Sequence, residues 1–220
     1  MNKVFLYFAY LLLIQSCQFM SSKNEINILA KQQLMVESLL AAKKIAPTDF
    51  ELLLMAFKLE RVLEVYARNK GENNWNKIVK YDFCAFSGSL GPKLKEGDKQ
   101  IPEGFYKIDR FNPKSMFHLS LGLDYPNMRD LQYANKDKPG SDIFIHGGCR
   151  SVGCIAITDE KIEELYTLAK LANKSIEVII LPFEMNENTL TKQVEDHVNL
   201  QTFWNQLFID FQNKNYKFNT

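Results

Sequence analysis

The chain has 220 residues, the length of one ordinary domain with some additions. Hydrophobic residues make up 46%, enough for a real core, which excludes disorder over the whole length. With 27 Lys plus Arg against 26 Asp plus Glu there is no net charge of the kind that nucleic acid binding calls for.

At the N-terminus Lys3 precedes an apolar run over residues 4–14. Eleven residues are too few to span a bilayer and suit the h-region of a signal peptide. The run ends in Ile14-Gln15-Ser16-Cys17. A small residue before a Cys at this point resembles a bacterial lipoprotein signal, which implies cleavage before Cys17, lipid on its sulfur, and a protein exported to the periplasm and anchored to the outer membrane. An ordinary signal peptide with an incidental Cys is the alternative. Residues 1–17 are therefore read as signal and lipobox. Beyond them only Cys84, Cys149 and Cys154 remain, and an odd count in an exported chain predicts at least one free thiol.

Residues 18–49 read as a tether and a helix, with Leu29, Val36 and Leu40 on one face from residue 25 to 46 and Pro47 as the stop. Residues 50–57 and 61–67 read as a hairpin and 75–86 as a third strand; periodicity alone leaves one long helix over 50–66 open. Residues 88–104 carry four glycines and two prolines and read as a long loop, a class that in compact domains is usually functional. Strands follow at 105–111, 117–123, 142–146 and 152–157. Thr158 then suits a helix N-cap, with Ile162, Leu165, Leu168, Ala169 and Ala172 on the buried face. A last strand is expected at 175–181, closing a β-rich domain over 50–183. The extension 184–220 reads as helical from 187 to 213. The fold class is α+β: a β-rich core with flanking N- and C-terminal helices.

The chemistry concentrates in Ile145-His146-Gly147-Gly148-Cys149-Arg150-Ser151-Val152-Gly153-Cys154. A thiol attacks well only when ionised, so a catalytic Cys needs a base or a positive environment. His146 lies eight residues before Cys154, and a loop between adjacent strands can bring imidazole and sulfur together. Gly153 suits a backbone N–H facing a developing oxyanion. These residue types alone leave catalysis and a structural cysteine both open.

Ile145-His146-Gly147 followed by Ser151-Val152-Gly153-Cys154 resembles the active-site signature of the L,D-transpeptidase (YkuD-type) catalytic domain family. Val152 stands where many members carry a second His, and Ala156 where many carry an Arg; the spacing H-G-x-x-x-S-x-G-C resembles the YafK-like branch. Gly97-Asp98-Lys99-Gln100-Ile101-Pro102-Glu103-Gly104 looks like the family's G-D-x-x-x-P-E-G, and Tyr125-Pro126-Asn127 is also similar to that branch. The resemblance implies that Cys154 forms a thioester at the L-centre of meso-diaminopimelate in peptidoglycan stem peptides, with His146 as base. It also implies an oxyanion hole from the Gly153 and Cys154 N–H groups, and a Gly147 carbonyl that orients the imidazole. The thioester is then resolved by an amine or, alternatively, by water. No cofactor or metal is implied.

Ser151 reads as shaping the loop or binding substrate, and His118 as lining the groove or as a structurally bonded His. Cys149 reads as a bystander thiol, with a redox partnership to Cys154 as the alternative, and Cys84 as core. Asp98 and Glu103 read as loop-stabilising. Two readings of other classes remain: a zinc site built on His146, Cys149, Cys154 and the distant His118, and a non-catalytic wall-binding lipoprotein.

Overall fold

The computed structural model describes residues 3–172 and 175–219, with side chains from residue 23 onward. The apolar run and the Cys17 sulfur therefore lie outside the described side chains. A long helix, α1 (Lys3–Ala42), takes the place of the expected one, beginning well before residue 25 and ending four residues short of 46. Ile28, Gln32, Val36 and Leu40 recur every four residues and are buried, which is the stripe that packs on α3 (Asp159–Ala172). The Ile45 amide returns to the Leu40 carbonyl at 3.0 Å and Lys44 takes φ +58°, so the helix is closed before Pro47 is reached.

Among the described residues nine strands form one sheet. In chain order they are β1 (Phe50–Phe57), β2 (Val62–Asn69), β3 (Asn74–Asp82), β4 (Gly104–Asn112), β5 (Ser120–Leu123), β6 (Phe144–His146), β7 (Ile155–Ala156), β8 (Glu177–Leu181) and β9 (Lys217–Phe218). Their spatial order is β7-β6-β5-β4-β8-β1-β2-β3-β9. The hairpin reading of residues 50–67 holds, with Phe57 opposite Val62. Strand β1 reads as a continuous apolar run because both its faces are covered. Leu52, Leu54 and Ala56 enter the core beneath α1 and α3, whereas Leu53, Met55 and Phe57 enter a second core with Trp204 and Leu207. Two-sided burial is what removed the alternation that separates strand from helix. Just past β3 the sheet curls back on itself: Ala85 bridges Ala156, and the Cys84 amide donates to the Ala156 carbonyl at 2.9 Å.

Several boundaries differ from expectation. The third strand stops at Asp82, because the chain then turns toward β7. The strand expected from 117 begins at Ser120, since His118 adopts φ +71°, which no strand accommodates. The helical tail is broken at His197 into α4 (Glu187–Asp196), a 3-10 turn (Val198–Leu200) and α5 (Gln201–Asn213). A four-residue helix, α2 (Asp130–Tyr133), and the two-residue β9 were not anticipated.

The turn-rich segment 88–104 is held by two of its own carboxylates, Asp98 and Glu103. Asp98 accepts from the Leu94, Lys95 and Gln100 amides and pairs with the Lys93 ammonium at 2.6 Å. Glu103 is fully buried, 2.9 Å from the equally buried Lys58 ammonium, and accepts from Gly91 N and from Trp204 Nε1. Lys58 also donates to the Gly91 and Ile101 carbonyls, each at 2.8 Å. The Gly-Asp…Pro-Glu-Gly segment is thus a loop clamp, as expected for Asp98 and Glu103.

Candidate active site

His146 ends β6, and Cys154 immediately precedes β7. The two strands run parallel with Ile145 beside Ile155 and His146 beside Ala156. Side chains alternate along a strand, so Cys154, two residues before Ala156, lies on the same face as His146. Both line one cavity of about 300 Å³, together with Phe117 and Phe144.

The imidazole is buried, with Nδ1 2.6 Å from the Gly147 carbonyl oxygen. A carbonyl only accepts, so Nδ1 carries the proton and Nε2 keeps its lone pair. Burial holds the His146 pKa below its ordinary value, with the Gly147 carbonyl opposing in part. The Phe117 ring stacks on the imidazole at 4.6 Å between centroids and 28° between planes. Among the described residues the half-buried Cys154 is the free thiol. Burial pushes its pKa up, against a backbone contact from Phe144 and the nearby Lys93 charge. In this resting arrangement Sγ donates to the Asp142 carbonyl oxygen at 3.7 Å rather than to the imidazole. The site therefore rests as a neutral thiol and a neutral base.

The glycines of the intervening loop have separate duties. A Cβ on Gly147 would lie 2.6 Å from Asp159 Oδ1 and 2.9 Å from the Phe117 carbonyl, so only Gly lets the loop pass this close. Gly153 takes φ +89°, which turns the chain into Cys154.

Of the other expected residues, Gly153 and Cys149 are placed differently, while Ser151 and His118 take the structural one of their expected roles. The Gly153 amide donates to Ser87 Oγ at 2.7 Å and is not free for an oxyanion; Cys154 N–H remains as the donor of that pair. Ser151 donates to the Cys154 carbonyl at 2.6 Å, so its hydroxyl serves the loop and is outside the cavity lining. His118 faces Glu163 of α3 at 2.8 Å instead of the cavity, and its neighbour Phe117 takes the wall. Cys149 is no bystander: it forms a disulfide with Cys84 across 65 residues, with Cα atoms 5.2 Å apart. Cys84 is accordingly half-buried at this bond rather than core. The disulfide also takes Cys149 out of any zinc set. Among the described residues no group of three or more His, Cys, Asp or Glu is placed to hold a metal.

Phe117, Ser87 and the Asp142 carbonyl are site residues that sequence reasoning missed. Ser87 sits 66 positions before Gly153, and nothing local marks it. Phe117 is marked in the sequence only by its place next to His118.

Residues 54–180 match the family model for the L,D-transpeptidase catalytic domain. YafK of Escherichia coli (strain K12), provisionally named an L,D-transpeptidase, is 33% identical over 160 residues, 70% of this chain and 62% of its own length. The chain thus spans under two thirds of the curated relatives it matches. Among solved structures, the helical cell shape determining protein Pgp2 from Campylobacter jejuni is similar in fold. It has a TM-score of 0.50 and 24% identity, covering 68% of this chain and 56% of that one.

Proposed function

Because the chain belongs to the L,D-transpeptidase catalytic domain family, we propose that it is a peptidoglycan cysteine acyl-transferase with Cys154 as nucleophile and His146 as base. The observation that carries this reading is the shared cavity: a free thiol and a buried imidazole whose Nε2 lone pair is left available line the same wall. Cys154 sulfur bonds to the amide carbonyl carbon at the L-centre of meso-diaminopimelate while its proton passes to Nε2. The oxyanion faces the Cys154 N–H. The C–N bond breaks, the leaving amine takes the proton from the imidazolium, and a thioester remains. An acceptor amine then attacks, gives its proton to His146, and expels the thiolate, which is reprotonated.

The Cys84–Cys149 disulfide supports an exported protein, since such bonds persist in oxidising compartments. Attachment through lipid on Cys17 is part of the same proposal.

The test is incubation with defined diaminopimelate-containing muropeptides and mass analysis of all products. Cross-linked dimers are the expected outcome. Trimmed peptides alone would assign the thioester to water, and no Cys154 adduct with any donor would sink the proposal.

A further inference from the structure

We propose that Lys114 receives a free carboxylate of the acyl donor and so selects which amides reach Cys154; this rests on the acyl-transfer reading above. The cavity wall is mainly apolar, with Met116, Phe117 and Phe144, and its two charged side chains are Lys114 and Asp142. The Asp142 carboxylate is engaged by Arg110 Nη2 at 3.0 Å. Lys114 forms no ion pair among the described residues, whereas Lys93, the cation whose charge reaches the thiol, has its ammonium on Asp98.

The segment carrying Lys114 is set by short-range bonds. Asn112 Oδ1 accepts from Lys114 N at 3.0 Å, and Ser115 Oγ accepts from Phe117 N at 3.1 Å. Its backbone is therefore positioned while its ammonium is left unspent. A cation without a counter-ion at an apolar cavity attracts an anionic ligand, and the low-polarity wall strengthens the attraction once water is displaced. A diaminopimelate donor offers two such carboxylates: that of the leaving amino acid and that of the far end of diaminopimelate. The shared chemistry is a carboxylate within a few bonds of the attacked carbonyl.

Calorimetry on the Cys154→Ala protein reads this directly, using a diaminopimelate tetrapeptide, its C-terminal amide, and its far-end carboxamide. With Lys114 present, one of the two amidations should weaken binding about tenfold, the scale of one charge-assisted hydrogen bond. Whichever amidation does so identifies the source. In the Cys154→Ala/Lys114→Ala protein that difference should vanish, and Lys114→Arg should retain most of it. Equal affinity of all three peptides for the Lys114 protein, or an undiminished preference in Lys114→Ala, overturns the assignment. The wild-type thioester assay separates the two claims. A carboxylate preference without any thioester overturns the acyl-transfer reading alone, and turnover without the preference overturns Lys114 alone.

Discussion

His146 donates through Nδ1 to the Gly147 carbonyl, and that single contact decides which ring nitrogen can act as a base. Burial lowers its pKa from the ordinary 6.5. The base is needed neutral, so kcat/KM should fall with acid only below pH 6.5; an acid limb centred above that value would contradict the assignment. Phe117→Ala removes the stacked ring and admits water. The limb should then move up toward 6.5, with kcat/KM reduced by the worth of one aromatic pair, about 0.5–1.5 kcal/mol. Cys154→Ala should abolish thioester formation with the fold kept, and His146→Ala should cost about two to four powers of ten in rate. Iodoacetamide should label Cys154 and spare Cys149. Because burial raises the Cys154 pKa above its ordinary 9.0, resting-state labelling should still climb past that pH, as peptide mapping would show. The dyad was legible in the sequence because both members fall within ten residues around a glycine-rich turn. The Cys84–Cys149 bond and the Ser87 contact were not, because each joins segments 65 or more residues apart and nothing in either segment announces the other.

Among the elements, the hairpin β1–β2 and the helix α3 follow from local pattern, whereas the clamp that holds the turn-rich loop depends on long-range partners. Lys58 comes from the β1–β2 turn, Glu103 from just before β4, and Trp204 from α5; the three meet in the interior. Lys58→Ala would leave the Glu103 carboxylate buried without its cation, a change that should cost about 3–5 kcal/mol in urea denaturation. Replacing both partners by apolar residues, Lys58→Met with Glu103→Leu, should cost clearly less, because no charge is then stranded. Equal losses in the two proteins would mean that packing, not charge, holds the loop. The break in the C-terminal tail at His197 escaped the sequence because Trp204, Leu207, Phe208 and Phe211 keep helical spacing within α5 and Leu200, in the 3-10 turn just before it, continues that spacing.

On the scale of the whole molecule, the curled sheet is closed beside Cys154 by the Ala85–Ala156 bridge and the Cys84–Cys149 disulfide. Replacing both cysteines by Ser should destabilise the protein by about 2–4 kcal/mol in denaturant relative to the oxidised wild type, and reducing the wild type should cost a similar amount. The proposed anchor is tested separately: a fatty-acid analogue fed to cells should tag the wild type and not Cys17→Ser. The overall α+β class and its strand succession were readable from turn residues and periodicity, but the closure was not, since it is made by two isolated contacts between distant segments. That closure governs how the molecule meets other chains. Strand β7 is the terminal strand of the sheet, and a terminal strand normally offers a row of unpaired amides to any extended peptide. Here residues 84 and 85 occupy that row. An extended peptide therefore cannot add itself as a further strand beside Cys154 but must descend onto the sheet face, and a second copy of the chain finds no open seam there at which to aggregate.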